Sequence, residues 1–220
     1  DITMFNPLNV AQQRIINEAD RIGLPHDLPV VMLPARPTSW KGHVILLQAL
    51  ARLKHLEIAC VLLGAGDTNS GYSEMLEKKS VELGLGAHVR IATSTRDMPA
   101  ALMLADVVVM PSIRPEPFGR VAIEAHAMGR PVVAFEHGGA RETISAGKTG
   151  WLAAPNDVSS LAQALETALS LSQSDRDKLS TLAQSTVKRR FSVKKMTKST
   201  LLVYKNLLLK KGFSPLVLGK

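Results

Sequence analysis

Aromatic residues make up only 4% of this 220-residue chain, and cysteine occurs once, at Cys60. A single cysteine excludes a disulfide framework, which suits a reducing compartment. Cys60 stands inside the apolar run 58–63, where a buried strand residue is expected rather than a reactive thiol. No apolar stretch approaches twenty residues and no basic-then-apolar leader opens the chain, so neither a membrane span nor a signal peptide is expected. These absences lead to the expectation of a soluble, cytoplasmic protein. The histidines at 26, 43, 55, 88, 126 and 137 show no metal-ligand spacing. No internal repeat or low-complexity linker divides residues 1–220, and a chain of this length can bury one large α/β core, so one domain is expected.

Acidic residues are missing from position 188 onward, where ten Lys or Arg are found, so the net charge of +8 is concentrated in the tail. No aromatic interleaving and no nucleic-acid module accompany it, so no nucleic-acid partner is expected. The tail fits either an ordinary solvated helix face or a peripheral contact with an anionic membrane surface on the cytoplasmic side.

What the chain does have is alternation. A capped helix at 9–23 precedes a strand at 30–33 and a helix at 43–53. Strands at 58–63, 89–92, 106–110, 132–135 and 150–152 then alternate with helices at 72–83, 98–105, 117–128 and 141–145. Helices at 158–171, 175–190 and 193–211 complete the chain, the last with Ser192 as N-cap. Right-handed crossovers then imply a Rossmann-like, doubly wound parallel sheet of about six strands with helices on both faces. Ligands of such sheets sit at the carboxyl ends of the strands, which singles out loops 34–42, 64–71, 93–97, 111–119 and 136–140.

The densest of these runs from Pro111 through Glu116-Pro-Phe-Gly119 to Glu124, with Gly129 and Pro131 ending its helix. Glu116 precedes the helix and Glu124 lies within it, a stagger of about 9 Å at ~1.5 Å per residue. Helical side chains lean toward the N-terminus, so Glu124 points back to the same loop. Between the two acids, the free amides of Phe118, Gly119, Arg120 and Val121 form a ready site for a phosphate. Carboxylates would repel a phosphate and should instead grip hydroxyls on either side of it. A ligand with hydroxyls, then phosphates, then hydroxyls is a sugar nucleotide. Arg36 and Lys41, flanking Trp40 in the first strand-helix loop, would neutralise a diphosphate leaving group. The bland readings are dipole-favoured acids, surface cations, and turn glycines at Gly138 and Gly139. Glu142 reads as a dipole partner of its short helix, and Asp106 and Trp40 read as structural.

At these residues the chain resembles the C-terminal, donor-binding half of retaining GT-B glycosyltransferases of family 4. The resemblance rests on Arg36 with Lys41-Gly42, the Val61-Leu-Leu-Gly-Ala-Gly66 turn and Ala105-Asp106 through Ser112. It continues through Glu116-Pro-Phe-Gly with Glu124, Gly129-Arg-Pro, Gly138-Gly139 with Glu142, and Gly150-Trp-Leu. Ala35 stands where the family has glycine. The resemblance implies that Glu116 touches the transferred sugar and Glu124 the ribose, that Arg36 and Lys41 hold the diphosphate with the 118–121 amides assisting, and that no metal or resident cofactor is needed. Gly66, Ser94, His137, Gly138 and Gly139 would meet the donor, with backbone groups around 93–96 at the base. It further implies retention at the anomeric carbon, an N-terminal acceptor domain absent from this chain, low activity alone, and a terminal helix that packs across the interdomain boundary. An epimerase or phosphorylase of the same fold, and a non-catalytic nucleotide-binding domain, are the alternatives.

Overall fold

Five runs of four or five residues, almost wholly Val, Ile, Leu, Met, Phe and Ala, and a sixth opening on Gly150-Trp151, form the strands of a computed structural model that describes residues 2–25, 27–67 and 71–212. His26, positions 68–70 of the loop 64–71, and Lys220 of the basic tail lie outside the described residues. The strands are β1 (Val30–Pro34), β2 (Ala59–Leu63), β3 (Val89–Ala92), β4 (Val107–Met110), β5 (Val132–Phe135) and β6 (Gly150–Ala153). All five pairings are parallel and the order is β3-β2-β1-β4-β5-β6, which is the expected doubly wound sheet. Val31 lies opposite Cys60 on one side and Val107 on the other.

The near-continuous apolarity of these strands follows from coverage on both faces. Val31, Leu33, Cys60, Leu62, Val107 and Val109 point into one core, beneath α2 (His43–Ala51), α3 (Gly71–Glu82) and α7 (Val158–Leu169). Val30, Met32, Val61, Val108 and Met110 point into the other, beneath α1 (Gln12–Ile22), α4 (Met98–Leu104) and α5 (Arg120–Ala127). The Cys60 thiol is pushed up to about 12 by burial, so it is held protonated as part of the core.

Three helix termini show how local chemistry sets the boundaries. The helix expected from Asn9 begins instead at Gln12, because the Asn9 side chain donates to the Thr3 carbonyl and residues Pro7–Asn9 form a 3-10 turn capped by Asn6. The helix expected from Pro117 begins at Arg120, because Gly119 takes φ 77° as its N-cap and leaves Pro117 and Phe118 in the loop. α8 (Gln173–Arg190) starts where the Ser172 hydroxyl accepts from the Asp175 amide.

A short α6 (Ala140–Thr143) follows β5, and α8 packs on α5. α9 (Val193–Lys210) behaves differently. Ser192 caps it as expected, accepting from the Lys195 amide, but the helix buries none of its residues, and Val203 and Leu207 are 56% and 54% exposed. Among the described residues no helix is long and apolar enough to cross a membrane. A chain ended after Ser192 is therefore expected to unfold within about 2 °C of the full chain in a thermal melt, since burial is what stabilises a helix. A loss beyond about 5 °C would show that α9 packs on the sheet domain.

Candidate functional site

The strand order reverses between β1 and β4. The chain leaves β1 toward α2 on one face and leaves β4 toward α5 on the other, so the two loops part and open a crevice at the carboxyl ends of the strands. Arg36, Trp40 and Lys41 come from the first loop, and Ser112, Glu116, Phe118 and Gly119 from the second.

These loops are stitched together at three points. The Ile113 amide donates to the Trp40 carbonyl at 2.8 Å. Gly42 lies so close to Pro111 that an added Cβ would sit 1.9 Å from the Pro111 carbonyl oxygen, and its φ of 79° already favours glycine. The third stitch is ionic: the Lys41 ammonium lies 2.8 Å from Glu116 Oε1, with each side chain 17% exposed. The same oxygen accepts a short hydrogen bond from the Ser112 hydroxyl. Lys41 also rests over the Trp40 ring, 4.2 Å from its centroid, which gives Trp40 a part in placing the cation.

Around this pair lie groups without partners. The Arg36 guanidinium is exposed and makes no ion pair or hydrogen bond with any described residue. Arg120 and Val121 open α5, so their amides precede its first intrahelical bonds, whereas the Phe118 and Gly119 amides belong to the loop. Glu124, one turn further along α5, is half-buried and has no hydrogen-bond partner among the described residues. Burial raises its carboxyl above the usual range, and the nearby Arg120 partly opposes the shift.

The glycine pair after β5 has a close-packing role. A Cβ on Gly138 would lie 2.4 Å from the Glu116 carbonyl oxygen, one on Gly139 would lie 2.5 Å from that of Phe118, and the Gly139 amide donates to the Glu116 carbonyl at 2.8 Å. Gly138 and Gly139 thus let the β5 loop press on the Glu116 loop and fix its backbone. Just before them, His137 is half-buried and neither ring nitrogen has a hydrogen-bond partner among the described residues.

On the far side of the crevice, the Gly64 and Gly66 amides both donate to the Ala92 carbonyl, at 2.8 and 3.1 Å, and the Ser94 amide donates to Asp67 at 2.5 Å. Helix α1 holds the same loop 93–97. Arg14 forms two 2.7 Å bonds to Asp97, and Glu18 accepts from Thr95 while paired with Arg21. The hydrogen bond from Arg14 holds the Asp97 carboxyl below its usual range. The amino-acid order assigned no role to Ser112 or Asp67 and gave no sign of this α1 clamp. Ser112 had a local signal, four positions before Glu116, but Arg14 and Asp97 are 83 positions apart and had none. Among the described residues no group of three or more His, Cys, Asp or Glu is placed to hold a metal ion.

The family model described as glycosyl transferases group 1 matches residues 15–186. D-inositol 3-phosphate glycosyltransferase 1 of Catenulispora acidiphila is 34% identical over 174 residues, which are 75% of this chain and 40% of that protein. The GDP-mannose-dependent alpha-(1-6)-phosphatidylinositol monomannoside mannosyltransferase of Mycolicibacterium smegmatis is 34% identical over 175 residues, 75% of this chain and 44% of that one. Among solved structures, Anabaena HepE in complex with UDP-glucose superposes with a TM-score of 0.79 at 29% identity, over 93% of this chain and 55% of that one. The chain thus spans less than half the length of the two relatives, 40% and 44%.

Two outcomes follow from the geometry. Gly42→Ala puts a methyl group against the Pro111 carbonyl at a positive φ and should cost more than about 2 kcal/mol, or roughly 4–8 °C in melting temperature; a stability equal to wild type would show that the loops are not packed as described. Burial also pushes His43 on α2 and His126 on α5 down to about 4, so both stay neutral in the folded state. Their contribution is present above the unfolded value near 6.5 and is lost as pH falls toward 4. Urea midpoints should be flat above about pH 7 and fall between about pH 6.5 and 5; midpoints constant over that window would contradict two buried neutral imidazoles.

Proposed function

The chain belongs to the glycosyl transferases group 1 family, and from that premise we propose that it is the donor-binding half of a GT-B glycosyltransferase, transferring a sugar from a nucleoside diphosphate sugar with retention at the anomeric carbon. The observation that carries this reading is the Lys41–Glu116 pair bridging the β1 and β4 loops at the strand-order reversal, with the unpaired Arg36 on the first of those loops. It brings together cations for a diphosphate and a carboxylate for sugar hydroxyls at one crevice.

In this reading the diphosphate lies between Arg36, Lys41 and the Arg120 and Val121 amides, where two cations and the α5 dipole stabilise the charge that develops as the sugar departs. Phe118 and Gly119 shape the loop beneath it. Glu116 accepts from hydroxyls of the transferred sugar, and Glu124 from the ribose. Gly66 borders the donor, and the backbone around Ser94, on a loop held by α1, meets the base. His137 meets the donor from the β5 loop. The acceptor proton goes to the leaving phosphate oxygen on the face where the bond breaks. Glu116 is then an orienting and electrostatic residue rather than a nucleophile.

A relative of the M. smegmatis kind is described as using GDP-mannose, and HepE was captured with UDP-glucose, so both bases are candidates for this chain. The remainder of the relatives' length supplies the acceptor site, and α9, whose apolar residues are exposed, is its docking element. Cleft closure between the halves excludes water, so the isolated chain binds donor and transfers little. The basic face of α9 suits an enzyme working beside an anionic membrane.

Calorimetry on the isolated chain should show one site for UDP-glucose or GDP-mannose. Arg36→Ala and Lys41→Ala should each weaken it by about ten- to a hundredfold, the loss of one charge-assisted contact. Unchanged affinity in both variants would remove the diphosphate assignment.

A further inference from the structure

Glu116 Oε1 is shared by two donors of opposite character. The Ser112 hydroxyl is neutral and fixed: Ser112 is 3% exposed and follows Pro111, whose carbonyl lies against Gly42, while the next residue, Ile113, is bonded to Trp40. The Lys41 ammonium is charged and sits on a four-carbon stem that can swing without moving the backbone. The other oxygen, Oε2, has no hydrogen-bond partner among the described residues. Here the firm donor holds one oxygen and the movable one neutralises the charge.

These two donors respond differently to a diphosphate. An ammonium gains more from a multiply charged oxyanion than from a single carboxylate, whereas a buried serine has no such alternative. Building on the donor-binding reading, we infer that Ser112 is a positioning residue for Glu116 and that Lys41 exchanges Glu116 for the diphosphate, so that arrival of the phosphates frees the carboxylate for the sugar. Before the donor binds, Lys41 keeps Glu116 neutralised. After it binds, Ser112 alone holds the rotamer, and the lone pairs that Lys41 released accept from sugar hydroxyls. The sugar and diphosphate ends of the donor are then coupled through one ion pair, and the coupling is reciprocal. A free nucleoside diphosphate must break the pair with no sugar contact in return, whereas the full donor offsets that cost at the freed carboxylate.

Calorimetry with two matched pairs, UDP against UDP-glucose and GDP against GDP-mannose, tests this on the chain as it stands. Ser112→Ala should leave the diphosphate within about twofold of wild type and weaken its sugar conjugate by about tenfold, with Ser112→Thr restoring it. Glu116→Gln should strengthen the diphosphate alone by about fivefold or more by releasing Lys41, and that gain should vanish in a Lys41→Met background. A gain that persists with Lys41→Met would mean simple repulsion between Glu116 and phosphate and would overturn the exchange. Equal weakening of both ligands by Ser112→Ala, or no effect on either, would overturn the positioning role. Those results leave the donor-binding reading standing. Wild-type protein that binds neither pair would remove that reading, and the exchange with it.

Discussion

The pairing of β1 with β4 is the constraint on which the site depends. Neighbouring strands of the sheet are consecutive in the chain except here, where Val31 and Met32 meet Val107 and Val108. Because crossovers between parallel strands are right-handed as a rule, the helices after these two strands go to opposite faces, and their loops part. The crevice is therefore a product of topology, before any polar side chain is considered. What the side chains add is its chemistry: a cationic loop on the β1 side and an acidic loop leading to a helix N-terminus on the β4 side.

Left alone, such an arrangement would hold an unpaired carboxylate beside an unpaired ammonium in a half-buried cleft, each incompletely solvated. The two satisfy each other instead, at 2.8 Å. This pairing costs the free protein little and leaves a site already in register with a ligand carrying both anionic and hydroxyl groups. The supporting contacts are backbone contacts of high precision: Gly42 on Pro111, Gly138 on Glu116 and Gly139 on Phe118. Substituting any of these glycines would disturb the functional loop before it disturbed the sheet.

Much of this was legible in the amino-acid order. Strands flanked by Gly and Pro and a last helix capped by Ser192 are local signals, and the six strands fall where alternation places them. Arg36, Lys41 and Glu116 were legible as a group because each stands at a strand's carboxyl end. Boundaries that depend on competition were not. Asn9 has the chemistry of a cap but spends its side chain on Thr3, and Gly119 delays α5 by turning left-handed. Partnerships across the chain, such as Arg14 with Asp97 or Gly139 with Phe118, leave no trace in spacing, because only the folded sheet brings them together. Gly138 and Gly139 read as turn or ligand glycines from the order alone; their packing against the Glu116 loop is a tertiary fact.

α9 leaves Val203 and Leu207 exposed, and the chain spans 40% of the length of the C. acidiphila relative. The central claim, that a nucleoside diphosphate sugar is held between the β1 and β4 loops, is most directly tested by amide hydrogen exchange with and without saturating UDP-glucose or GDP-mannose. The expected result is new protection strongest at residues 36–42 and 112–121, with smaller effects at 93–97 and 136–140. Protection elsewhere, for example around Cys60 and His88 at the opposite end of the sheet, with none at 36–42 or 112–121, would contradict it.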